Sequence, residues 1–134
     1  MNAMTSVTFR NLEISKIIQL ALRGNLQGIE WGGDIHVPSG NLHVARVVGE
    51  ATRAAGLEVL SYGSYYFLCE SDAPEAAFDP VLRSAEALGA PIIRLWAGRR
   101  SPQQADESYL QRAQQELSLL ANVAETRGIR LSLE

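Results

Sequence analysis

One cysteine, two histidines and no surplus of basic residues set the first limits on this chain. Cys69 has no partner for an internal disulfide and no neighbour at zinc-ligand spacing, so a reducing compartment and a cytoplasmic location are expected. The formal charge is -3 and the arginines are scattered, which leaves no basic face for nucleic acid. No apolar run approaches the ~18 residues that a membrane helix needs. Met1 to Thr8 lack a charged segment followed by an apolar one, so neither insertion nor export is expected. G-x-G-x-x-G, a Walker-type loop and the G-x-S-x-G elbow are all missing, which removes the best evidence for nucleotide binding or serine hydrolysis.

What is present is an α/β repeat. With 134 residues, 46% hydrophobic and 20% charged, the chain predicts one globular domain over residues 1–134. Asn25, Gly56, Gly89 and Gly128 lie 31, 33 and 39 residues apart, and an apolar residue follows each at once. Asn and Gly tolerate the left-handed backbone that closes many helices, and these spacings each hold one strand, loop and helix. Apolar stripes at helical spacing precede each mark, for example Ile14, Ile17, Ile18, Ala21 and Leu22. Asp79-Pro80 reads as the start of a third helix, and Ser101-Pro102 with Gln104 as a capping box before the fourth.

Five strands are predicted over about 5–9, 28–31, 57–62, 91–96 and 129–134. Alternation puts Ile129, Leu131 and Leu133 on one sheet face and Arg130, Ser132 and Glu134 on the other. The same parity sets Ile93 and Leu95 against helices. It turns Arg94 and Trp96 toward a polar face together with Ser6, Thr8, Glu30 and Tyr62. A doubly wound open sheet carries helices on both faces and has apolar central strands, whereas a (β/α)8 barrel has them outside only. The pattern therefore predicts a partial TIM barrel, a (βα)4β half-barrel with parallel strands in the order 1-2-3-4-5. A flavodoxin-like sheet in the order 2-1-3-4-5 is the rival.

Parallel sheets gather their chemistry beyond the carboxyl ends of the strands. There the sequence puts Glu30, Trp31, His36, Tyr62, Tyr65, Arg94, Trp96, Arg99 and Glu134. Aromatic rings suit the apolar face of a sugar, arginine suits a phosphate or carboxylate, and carboxylates move protons or bind hard cations. Each has a plainer reading. Glu30 fits an ion pair with Arg94 or Arg130 as well as a substrate contact, His36 fits a surface loop, and the aromatics fit packing.

Thr8-Phe9-Arg10-Asn11, Gly28-Ile29-Glu30-Trp31-Gly32-Gly33-Asp34-Ile35-His36-Val37-Pro38, Ser61-Tyr62-Gly63-Ser64-Tyr65-Tyr66 and Arg94-Leu95-Trp96-Ala97-Gly98-Arg99 carry a resemblance. Together they resemble the N-terminal half of sugar phosphate isomerase/epimerases of the xylose isomerase-like barrel superfamily. The resemblance implies a barrel built around a divalent metal (Mn2+, Mg2+ or Zn2+) and a small sugar or sugar phosphate substrate. It implies that Glu134 is the first metal-binding glutamate and a proton carrier; Glu30, Trp31, His36, Tyr62, Arg94, Trp96 and Arg99 are the candidate substrate contacts that strand position and side-chain chemistry put beside it. The remaining ligands would lie beyond residue 134, so the isolated chain is expected to be inactive. Two other expectations stand beside this one. The first is a non-catalytic half-barrel forming a homodimer through exposed sheet edges. The second is a metal-dependent DNA-repair enzyme like the apurinic endonucleases, disfavoured by the shortage of histidines.

Overall fold

In the computed structural model, which describes residues 1–134, all four predicted helix closers adopt the left-handed backbone. Their φ angles are 52° at Asn25, 78° at Gly56, 79° at Gly89 and 68° at Gly128. The helices they follow are α1 (Ile14–Arg23), α2 (Leu42–Ala54), α3 (Pro74–Leu88) and α4 (Glu107–Glu125). The strands are β1 (Ala3–Thr5), β2 (Gly28–Gly32), β3 (Glu58–Phe67), β4 (Ile92–Trp96) and β5 (Arg130–Leu133). All neighbours pair in parallel, in the order β1-β2-β3-β4-β5, as half a barrel requires and a flavodoxin-like sheet forbids.

One face of the sheet is dry. Ile29, Trp31, Val59, Tyr62, Ile93 and Leu95 are buried in a single core with Ile17, Val48, Phe78, Leu88 and Leu120 of the helices. The opposite face carries Glu30, Ser61, Arg94 and Ser132, all half-buried. Register aligns these residues in rows: Thr5, Glu30 and Ser61 are partners, as are Gly63, Arg94 and Ser132.

Three local expectations are corrected. The first strand ends at Thr5, and residues Ser6–Phe9 form a 3-10 turn. There Ser6 Oγ accepts the Gly32 N–H at 2.9 Å, so the chain folds over the end of β2 instead of extending. The third helix starts at Pro74, with Glu75 in its first turn, and Pro80 lies inside it. The fourth starts at Glu107, where Asp106 caps it by accepting the Tyr109 N–H at 2.8 Å. The Ser101 segment keeps half of the expected box, Ser101 N–H donating to Gln104 Oε1 at 3.3 Å, but closes a separate turn.

The inward parity expected for Tyr62 is also corrected. Register slips between Ile29 and Glu30, so that Val59 pairs with Ile29 and Ser61 with Glu30. Leu60 is the extra residue, and its side chain lies across Gly28, where any Cβ would collide with it. Leu60 and Ser61 both face the polar side, and Tyr62 returns to the helix side. A β-bulge of this kind reverses the parity of everything after it.

Candidate functional site

The polar face forms a cup whose floor is an ion-pair network. Arg94 of β4 donates from Nε to Glu30 Oε2 at 3.1 Å and from Nη2 to Glu30 Oε1 at 3.0 Å. Ser61 of β3 donates its hydroxyl to Glu30 Oε2 at 2.7 Å. The third nitrogen, Nη1, contacts Glu134, the residue that follows β5. Arg94 and Glu30 are 20% and 18% exposed, whereas the Glu134 side chain is 47% exposed and is the carboxylate open to the cup. Burial pushes the Glu30 carboxyl up, but hydrogen bonds from Arg94 and Ser61, with the Arg94 charge, outweigh it and hold the group below its usual range. Two carboxylates around one guanidinium leave the floor with an excess negative charge.

One step toward the mouth, Trp96 is level with Glu134, since the Glu134 N–H donates to the Leu95 carbonyl and the Ala97 N–H to the Glu134 carbonyl. Register between β3 and β4 breaks from Gly63 to Phe67, and Tyr65 in that bulge takes a left-handed φ of 57°. The rings of Phe67 and Trp96 stack at 5.5 Å and 9°, and Tyr65 tilts toward Trp96 at 6.4 Å. Arg99 lies 3.8 Å over Phe67, with Nε 3.3 Å from Glu70. It belongs to the rim. Arg10 bridges the mouth, paired with Asp34 and donating to Tyr65 Oη at 2.6 Å.

Of the sequence-predicted contacts, Glu30, Arg94, Trp96 and Glu134 meet in the cup, and Arg99 stands at its edge. Trp31 and Tyr62 do not meet them. Both are fully buried on the helix side, with Trp31 Nε1 donating to Thr52 Oγ1 at 3.1 Å and Tyr62 Oη donating to the Val37 carbonyl at 2.8 Å. Burial pushes the Tyr62 phenol up to about 12, so it stays protonated. His36 is 7% exposed and engages Ser6 Oγ at 3.0 Å through Nδ1 and the Leu12 carbonyl at 3.3 Å through Nε2. It ties loops together beneath the surface.

Sequence reasoning missed Ser61 as the partner of Glu30, the Phe67 stack and the Arg10–Asp34 bridge. Ser61 was hidden by the bulge, and Arg10 and Asp34 lie in loops where parity gives no signal.

A protein-held Mg2+ or Mn2+ needs several hard donors, and a zinc site wants three or four ligands. No three His, Cys, Asp or Glu side chains converge here, and both Glu30 oxygens are engaged by Arg94. The donor set fits a divalent ion only as one ligand, Glu134, of a larger set.

The sequence profile of the family described as xylose isomerase-like TIM barrel matches residues 18–134. No curated protein matches the chain. Among solved structures, the probable 3-DHS dehydratase AsbF of Bacillus anthracis superposes with a TM-score of 0.80 at 15% identity, over 98% of this chain and 51% of that one. The 3-keto-D-glucoside 4-epimerase YcjR of E. coli gives 0.72 at 17%, over 99% and 55%. The IolI protein with a bound zinc atom gives 0.76 at 14%, over 99% and 51%. The chain spans about half the length of these structures. A profile match over most of the chain, joined to a sequentially ordered parallel sheet with one dry and one polar face, means that this chain belongs to the xylose isomerase-like TIM barrel family.

Proposed function

We propose that these strands form part of a divalent-metal-dependent sugar or sugar phosphate isomerase/epimerase that abstracts a proton next to a carbonyl. The observation that carries this reading is the position of Glu134: a half-exposed carboxylate at the carboxyl end of β5, on the polar face, touched by Arg94. YcjR is a 3-keto-D-glucoside 4-epimerase and IolI holds a zinc atom, which supports the reaction class and a divalent metal.

In this reading Glu134 takes the proton from the substrate carbon, and the bonding pair stays on the substrate as an enediolate. Return of that proton by Glu134 to the neighbouring carbon gives the isomer, whereas epimerisation needs a second acid on the opposite face to supply a proton while Glu134 keeps the one it took. The bound cation would neutralise charge developing on the substrate oxygens. Arg94 holds Glu134 in place, while Trp96, Tyr65 and Phe67 exclude water from one side. The DNA-repair alternative is weakened because both ring nitrogens of His36 are engaged inside the fold, which leaves neither for zinc.

The test is Glu134→Gln in a protein that carries these strands within a complete barrel. Solvent deuterium exchange into a ketose should fall by about a thousandfold, within the range of one general base, and Mn2+ should bind more weakly. Unchanged exchange and unchanged Mn2+ affinity would sink the assignment. The isolated 134-residue chain should show no exchange with Mn2+, since it offers one ligand, and measurable epimerisation by it would overturn that part.

A further inference from the structure

Arg94 spends all its inward donors on two carboxylates from different strands. Nε and Nη2 meet the two oxygens of Glu30 in a parallel fork, and Nη1 meets Glu134. The guanidinium is planar and rigid, so fixing one edge fixes the other. Glu30 is itself fixed by the Ser61 hydroxyl. The orientation of the Glu134 carboxylate is therefore set from β2, through β4, across the width of the sheet.

Gly63 faces this fork. A Cβ there would stand 2.8 Å from Arg94 Nη2 and 3.4 Å from Glu30 Oε1. Gly63 is absent from the positive-φ residues, so backbone conformation does not require a glycine at this point. Space does. An arginine tip ordinarily swings away from an intruding methyl at little cost. Here it is held at three nitrogens, and any swing breaks the fork or moves Nη1 off Glu134.

We infer that Arg94 is a positioning residue that fixes the Glu134 carboxylate through Glu30, and that Gly63 reserves the room the fork occupies. The geometric part stands by itself. Its consequence for turnover rests on the proposed role of Glu134.

Three-bond couplings in the 134-residue chain report the Glu134 χ1 populations directly. One dominant rotamer is expected in the parent, and averaging in Gly63→Ala, Glu30→Gln and Arg94→Gln. Arg94→Lys keeps the charge but not the fork, and should not restore the single rotamer. A purely structural ion pair would leave Glu134 unmoved. Urea denaturation adds a cycle: Gly63→Ala should lower the midpoint when Arg94 is present and leave it unchanged in an Arg94→Ala background. An unaltered Glu134 rotamer in Gly63→Ala, or additive midpoint losses, overturns the inference. In a complete barrel, Gly63→Ala should lower kcat/KM by about tenfold to a hundredfold, the scale of a small misplacement. Should Glu134→Gln leave exchange intact, the catalytic reading fails while the rotamer and urea results still decide the positioning.

Discussion

His36 donates from Nε2 to the Leu12 carbonyl, so in neutral imidazole Nδ1 accepts a hydrogen bond from the Ser6 hydroxyl, while Ser6 Oγ accepts from Gly32. Only neutral imidazole satisfies that chain of bonds. Burial holds the His36 pKa below its ordinary 6.5, with Leu12 and Asp34 opposing and the Arg10 charge adding to the effect. The unfolded chain therefore binds this proton more readily than the folded one. The stability His36 contributes is complete above the unfolded pKa and is lost as pH falls through 6.5 toward the folded value. Urea midpoints should decline from pH 7 to pH 5. In His36→Gln the decline over that window should flatten, although the variant is less stable throughout by about 1–2 kcal/mol for its lost hydrogen bonds. Parallel pH profiles for the two proteins would rule this account out. Glu30 acts at lower pH with the same sign, its contribution present above 4.5 and lost as pH falls through its depressed folded value. The sequence showed that His36 lay in a loop rich in Gly, Asp and Pro. It did not show that Ser6 would fold back over β2 to meet it.

At the scale of elements, α2 and α3 pack closely because Gly49 lies against the end of α3, where any Cβ would run into the Leu88 carbonyl. Arg53 Nη1 also donates to that carbonyl at 2.9 Å, so α3 cannot retreat without losing the bond. Helix propensity alone favours alanine over glycine by about 1 kcal/mol. Overpacking a closed contact costs about 1–3 kcal/mol, so Gly49→Ala is expected to destabilise by about 1 kcal/mol net. A chemical denaturation midpoint at or above that of the parent would contradict the close-packing account. The four helix ends were legible because a left-handed closure admits few residue types. The starts of α3 and α4 were less so, since Pro80 mimics a first-turn proline and Gln104 mimics a capping partner while the helices begin elsewhere. Parity held along β2, β4 and β5. It failed in β3, where one extra residue at Leu60 put Ser61 in the cup and returned Tyr62 to the core.

Across the whole molecule, β1 and β5 each have one paired side, which leaves two open edges with unpaired backbone groups. Leu133 is 48% exposed on one of them. Natural sheets cover or pair such edges, so copies of this 134-residue chain are expected to associate in solution. Light scattering after size exclusion should give more than one chain mass at low micromolar concentration, and a clean monomer would refute self-assembly. The sequence by itself determined the parallel half-barrel, because glycine and asparagine closures, helical stripes and two-residue alternation are local properties with local causes. It also set the charge pattern of the polar face. Parity along β2, β4 and β5 also put Glu30, Arg94, Trp96 and Glu134 on that face, whereas tertiary structure alone decided that Ser61 joins them and that Trp31, Tyr62 and His36 do not. A bulge resets parity without a compositional mark, and the network of Glu30, Arg94 and Glu134, 64 and 40 residues apart in the chain, closes only once the four strands β2 to β5 lie side by side.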